Sequence, residues 1–90
     1  MKHIQITVSG KVQGVFFRAY TEKKANELGI SGFVKNQDDG SVYIDASGTN
    51  DQLNKLVAWC HKGSPLSSVN QVVHVEINEP SNFTDFQIKR

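Results

Sequence analysis

The residues from Gly10 to Arg18, Gly-Lys-Val-Gln-Gly-Val-Phe-Phe-Arg, combine a glycine-bearing turn with an arginine placed where a helical pattern begins. An alternating apolar run stops at Gly10, so a strand feeds a tight loop, and the loop feeds a helix start. Such a loop aims several backbone N–H groups at one place. The positive end of the helix and a planar guanidinium act in the same direction, and together they favour a tetrahedral oxyanion such as a phosphoryl group. A lysine would bring the charge without the bidentate fork, and the chain's other arginine is the terminal Arg90. Arg18 also has a plainer reading, because an arginine early in a helix can simply pair with a carboxylate or meet water. Gly14 is at once a turn glycine and a point of close backbone approach to an anion.

Periodicity supplies the elements around this loop. Ile4, Ile6 and Val8 alternate with Gln5, Thr7 and Ser9, the pattern of a half-buried strand. From Arg18 to Leu28 the period becomes helical. Phe17, Thr21, Ala25 and Leu28 share one face, Glu22, Lys23, Asn26 and Glu27 face water, and Gly29 sits at the C-cap. A second strand runs from Ile30 to Gln37, Asp38-Asp39-Gly40 signals a hairpin turn, and a third strand, Ser41 to Ser47, points Val42, Ile44 and Ala46 inward. Thr49-Asn50-Asp51-Gln52 has capping-box spacing. It opens a helix with Leu53, Leu56, Val57 and Cys60 on one stripe, closed by Gly63 and Pro65. A strand from Val69 to Ile77 and a short last one holding Phe83, Phe86 and Ile88 complete the chain. The order β-α-β-β-α-β, with a terminal strand added, predicts an α+β fold. Two helices cover one face of an antiparallel sheet, polar strand faces turn outward, and right-handed crossovers make a ferredoxin-like α/β sandwich.

Ninety residues with 38% hydrophobic and 21% charged content suit one small domain spanning residues 1–90. A net charge of +1, with the basic residues scattered along the chain, supplies no concentrated basic face for nucleic acid or an anionic membrane. No apolar run approaches a membrane span, and the N-terminus alternates rather than forming a signal peptide's apolar core. One cysteine, Cys60, permits no internal disulfide. These features together predict a cytoplasmic protein.

The stretch from Gly10 to Arg18 resembles the signature of the acylphosphatases. Gly32-Phe33-Val34-Lys35-Asn36 resembles that family's second motif, which ends in its active asparagine. The likeness continues through Asp39-Gly40-Ser41-Val42, the second helix, Gly63-Ser64-Pro65-Leu66-Ser67-Ser68-Val69 and Phe86-Gln87-Ile88-Lys89, so it covers nearly the whole chain in order. Many members carry tryptophan where Phe33 stands, arginine at Lys35 and proline at Ser64. The resemblance implies hydrolysis of the carboxyl–phosphate bond of acyl phosphates with no metal, cofactor or covalent intermediate. Arg18 would hold the phosphoryl oxygens together with loop N–H groups from Gln13, Gly14, Val15, Phe16 and Phe17, and Asn36 would orient the attacking water. Taken alone, Asn36 reads as a strand-end residue, and its role comes from the resemblance. Inorganic phosphate, a product with the shape of the transferred group, is expected to inhibit, and the protein is expected to act as a monomer.

That inventory suffices for the reaction. Phosphoryl transfer is governed by positioning and electrostatic stabilisation. The expelled carboxylate has a conjugate acid of pKa about 4, so it leaves at neutral pH without a proton. The remaining polar residues read as structural. Cys60 lies on an apolar stripe, and His61 points about 100° away from it. His3, His61 and His74 have no ligand spacing, and Trp59 reads as a flank of the core. The same element order also serves RNA-binding, ligand-sensing and metal-carrying modules. An RNA reader needs exposed aromatics, of which Tyr43 is one, and a metal carrier needs a cysteine pair in its first loop. Related domains that act in carbamoyl transfer belong to larger proteins.

Overall fold

The computed structural model describes residues Met1–Lys89. The elements are β1 (Lys2–Lys11), α1 (Phe17–Leu28), β2 (Ser31–Asn36), β3 (Val42–Gly48), α2 (Asn50–Lys62), β4 (Ser68–Ile77) and β5 (Phe86–Ile88). They form one sheet in the order β4-β1-β3-β2-β5. Ile4, Ile6 and Val8 of β1 meet Val42, Ile44 and Ala46 of β3 on the covered face, against Phe17, Thr21 and Ala25 of α1 and Leu53, Leu56 and Cys60 of α2. The buried set is the one the two periods, 2 for strands and 3.6 for helices, select. The fold is the ferredoxin-like α/β sandwich expected from the element order.

One sheet pairing departs from the expected antiparallel pattern. β2 and β5 run parallel, with Gly32 opposite Phe86 and Val34 opposite Ile88. β4 and β5 lie on opposite edges, so residues 78–85 must carry the chain past four strand intervals, about 19 Å at ~4.8 Å each. That crossing reverses the chain's direction and delivers β5 alongside β2. Phe83 therefore belongs to the crossing segment rather than to the last strand. Its ring packs 5.1 Å from Phe33.

The open face of the sheet is also less polar than alternation implied. Phe33 sits 5.8 Å from Tyr43, and Val73 and Val75 are exposed. Lysine stems cover the rings: Lys89 Nζ lies 4.2 Å from the Phe33 centroid and Lys35 Nζ 5.7 Å from that of Tyr43. Phe33 and Lys35 thus belong to one aromatic–cation cluster.

At the other end of β1, His3 pins the crossing segment. Its Nε2 lies 2.7 Å from Asp45 Oδ1 on β3, and its Nδ1 lies 2.8 Å from the Glu79 carbonyl oxygen. A carbonyl can only accept, so Nδ1 carries a proton, and the carboxylate favours a second on Nε2. Burial pulls the pKa of His3 down. The bond to the Glu79 carbonyl and the bond and charge of Asp45 outweigh it, leaving the pKa above its ordinary 6.5. Cys60 is fully buried, and desolvation pushes its thiol up to about 12, which fits an inert packing residue.

Candidate active site

β1 leads into the loop through a bulge, the register against β4 shifting between Ser9 and Gly10. Gly10 has φ 125°, and a Cβ there would strike the Ser68 carbonyl, so only glycine lets the strands stay paired at this point. The Val12 N–H donates to the Gly10 carbonyl at 3.1 Å, which tightens the turn. Beyond it the side chains alternate. Val12, Val15 and Phe17 are buried, whereas Gly14 and Phe16 are exposed. Phe17 anchors the helix start with its ring 5.3 Å from Trp59. Three inward anchors leave the main chain between them facing out.

Two residues turn left-handed to make this path. Gly14 has φ 74° with open space where a Cβ would stand, so its conformation rather than crowding demands glycine. Phe16, at φ 62° and ψ 21°, is the one non-glycine residue with positive φ among the described residues. An aromatic residue held there stores strain of order 1 kcal/mol or more, a feature associated with functional sites.

The start of α1 is open. Phe16 is its N-cap and supplies no side-chain hydrogen bond, and the first turn carries no acidic residue. Among the described residues, the N–H groups of Gln13, Gly14, Val15, Phe16 and Phe17 donate to no protein acceptor. The amides of Arg18 and Ala19 lie in the first turn, where no intrahelical acceptor exists. Arg18 stands at this positive end, half-buried, with no carboxylate of the described residues within 4.0 Å. Its Nη1 reaches only the Lys89 carbonyl, at 3.4 Å. Of the two plainer readings of Arg18, the ion pair has no partner among the described residues, and contact with water stays open to the half-buried side chain.

Val12, Gly14, Phe16, Phe17, Arg18, Ala19, Asn36 and Ile88 line a single cleft of about 380 Å³. It therefore gathers five of the residues singled out in the sequence: Gly14, Phe16, Phe17, Arg18 and Asn36. Asn36 arrives on the last position of β2, opposite Val42. Its Oδ1 is sealed from solvent and accepts no hydrogen bond from the described residues. A buried amide oxygen left unpaired costs ~1–3 kcal/mol.

Gln13 and Val15 take different places. The Val15 side chain is in the core. Gln13 turns away from the cleft wall, and its Nε2 donates to the Gln37 carbonyl at 2.7 Å and the Ser41 carbonyl at 2.8 Å, tying the loop to the hairpin beside Asn36. Neither residue lines the cleft. Sequence reasoning did not find Val12, Ala19 and Ile88 as cleft walls. Ile88 carried a signal in the alternation of the last strand, which puts Phe86 and Ile88 on the helix side.

The uncapped start of α1, the Arg18 guanidinium and Asn36 thus border one cleft of a ferredoxin-like sandwich. A family model described as acylphosphatase matches residues 4–88. An acylphosphatase of Shewanella amazonensis is 47% identical over 88 residues, covering 98% of this chain and 97% of that one. The crystal structure of acylphosphatase from Bacillus subtilis superposes with a TM-score of 0.96 at 36% identity, covering 100% of both chains. An acylphosphatase structure from Coxiella burnetii gives 0.93 at 42% identity, covering 98% of this chain and 92% of its own. The chain belongs to the acylphosphatase family, and with it to the hydrolases of acyl phosphates. No helix of the described residues is long and apolar enough to cross a membrane.

Proposed function

We propose that the chain hydrolyses acyl phosphates by direct attack of water on phosphorus, without a metal ion and without a covalent intermediate. The oxygen of water bonds to phosphorus as the bond from phosphorus to the bridging oxygen breaks. The electron pair leaves on the carboxylate, and the proton of the attacking water passes to the phosphate product or to solvent. Charge spread over the three equatorial oxygens is met by Arg18 and by the main-chain N–H groups of Gln13, Gly14, Val15, Phe16 and Phe17. The carboxylate, whose conjugate acid has a pKa of about 4, needs no general acid. Asn36 orients the water; a neutral amide is enough for a loose transition state that asks little of a base.

The observation that carries this reading is the convergence of Arg18, the open start of α1 and Asn36 on one cleft. The reading takes a small acyl phosphate as substrate and inorganic phosphate as product and competitive inhibitor, for a monomer in the cytoplasm.

Hydrolysis of acetyl phosphate or benzoyl phosphate in ¹⁸O-water with a chelator present tests it. The label is expected in phosphate, with full activity, and little turnover of an ordinary phosphate monoester. Label in the carboxylate would mean attack at the acyl carbon, and loss of activity with the chelator would bring in a metal; either rejects the reading. Asn36→Ala is expected to lower kcat by about tenfold or more with the phosphate inhibition constant within twofold of wild type. A change in that constant alone would make Asn36 a binding group.

A further inference from the structure

Ser64 lies 49 residues from Val15 in the chain, yet its hydroxyl donates to the Val15 carbonyl at 2.9 Å in a fully buried contact. Ser64 is itself only 2% exposed. It sits in the turn after α2, where Gly63 N–H caps the Trp59 carbonyl and Ser67 closes back on the Ser64 carbonyl through its N–H at 3.0 Å and its hydroxyl at 2.7 Å. The donor is thus held by a rigid turn packed beneath the loop.

A trans peptide points its C=O and its N–H in opposite directions, and the described residues contain no cis bond. Fixing the Val15 carbonyl toward Ser64 therefore fixes the next N–H, that of Phe16, away from the core. This peptide needs fixing. It joins Val15 to Phe16, whose strained left-handed backbone favours rotation of the unit, and Gly14, one residue earlier, leaves the loop before it free to follow.

We propose that Ser64 is a positioning residue for anion binding: its hydrogen bond to the Val15 carbonyl holds the Phe16 N–H toward the cleft. This rests on the oxyanion role proposed for the loop. Ser64 touches no substrate and acts through the peptide it orients.

The test compares Ser64→Ala, Ser64→Cys and Ser47→Ala with the wild type. Ser64→Cys keeps a side chain of similar shape with a weak donor. Ser47 is a matched control: its hydroxyl also donates to a main-chain carbonyl, that of Lys2 at 3.2 Å, at the far end of β1. The readouts are the competitive inhibition constant of inorganic phosphate, KM and kcat for acetyl phosphate, and the urea midpoint. Ser64→Ala is expected to weaken phosphate about tenfold and to raise KM in parallel, with a smaller change in kcat. Ser64→Cys should fall between it and the wild type. Ser47→Ala should lower the urea midpoint while leaving the phosphate constant within twofold. Should Ser64→Ala fail to fold, Ser64→Cys decides the matter. The proposal is overturned if the folded Ser64 variants bind phosphate as the wild type does, or if Ser47→Ala weakens phosphate equally. A wild type that phosphate does not inhibit would instead remove the oxyanion role itself, so the two failures are separable.

Discussion

The two helices of this chain meet the same physical problem at their first turns and solve it in opposite ways. α2 begins with a complete capping box: the Gln52 N–H donates to Thr49 Oγ1 at 3.2 Å and the Thr49 N–H to Gln52 Oε1 at 2.8 Å. Its second position is Asp51, a negative charge at the positive end of the helix. α1 begins with Phe16, which caps nothing, and its second position is Arg18. A cation there opposes the macrodipole, at a cost of some tenths of a kcal/mol. The capping box contributes ~1 kcal/mol that α1 forgoes. A helix start that lacks a cap, reverses the favoured charge and stores strain at Phe16 becomes consistent once an anion lies against it. α2 is closed by its own side chains, and in the proposed reading α1 is left for a ligand to close.

The largest test of that contrast is Arg18→Lys. It keeps the charge and loses the planar fork, and kcat is expected to fall by about 10²–10³, the usual scale for removing one donor aimed at developing charge. Near-normal turnover in a folded Arg18→Lys protein would reduce Arg18 to a surface residue.

Ala19 offers a sharper comparison, because it is the third residue of α1 as Gln52 is of α2, and it lines the cleft. Ala19→Glu should make the start of α1 more like that of α2. The carboxylate favours the helix end by ~0.3–1 kcal/mol. Against a phosphate some ~6 Å away it costs ~0.7–3 kcal/mol per charge pair. Phosphate inhibition should therefore weaken about tenfold or more while the urea midpoint holds or rises. Unchanged inhibition would break the comparison, since an extra negative charge could not be indifferent to an anion bound there.

Thr49→Ala does the reverse experiment on α2. Loss of the cap is expected to destabilise the fold by ~1 kcal/mol, read in the urea midpoint, with the phosphate constant unmoved. The smallest effect belongs to His3, which holds the strand leading to α2 through Asp45 and the crossing segment through Glu79. Its folded pKa lies above the ordinary 6.5, so the protonated form is favoured by folding. The stability it contributes is present in full below pH 6.5 and declines as pH rises through the raised folded value. Against His3→Gln, the wild type should lose its margin in urea midpoint as pH rises above 6.5 and through the raised folded value. A margin that grows with pH would reverse the sign assigned to this contact.

What the sequence made legible follows from how far apart the interacting groups lie. The capping box at Thr49 and Gln52, the Gly29 C-cap and the core stripes all involve residues within a turn or on one repeating face, and each stands in the structure as read. Arg18 and Gly14 were legible because glycine, loop and arginine are contiguous. The ties that set the loop were not. Gln13 reaches Gln37 and Ser41, and Ser64 reaches Val15, across tens of residues with no local pattern. The left-handed turn at Phe16 is imposed by its buried neighbours, against the preference of an aromatic residue. The parallel placement of β5 and the aromatic–cation cluster on the open face depend on where residues 78–85 cross the sheet, a tertiary outcome that strand alternation does not encode.

The most direct measurement is a titration of inorganic phosphate into the ¹⁵N-labelled protein, following backbone amides from both helix starts. The amides of Gln13 to Ala19 are expected to shift together and saturate with one constant equal to the competitive inhibition constant, while those of Asn50, Asp51 and Gln52 stay in place. Amides from 13 to 19 that stay still while phosphate inhibits, or that shift no more than those of α2, would contradict the account.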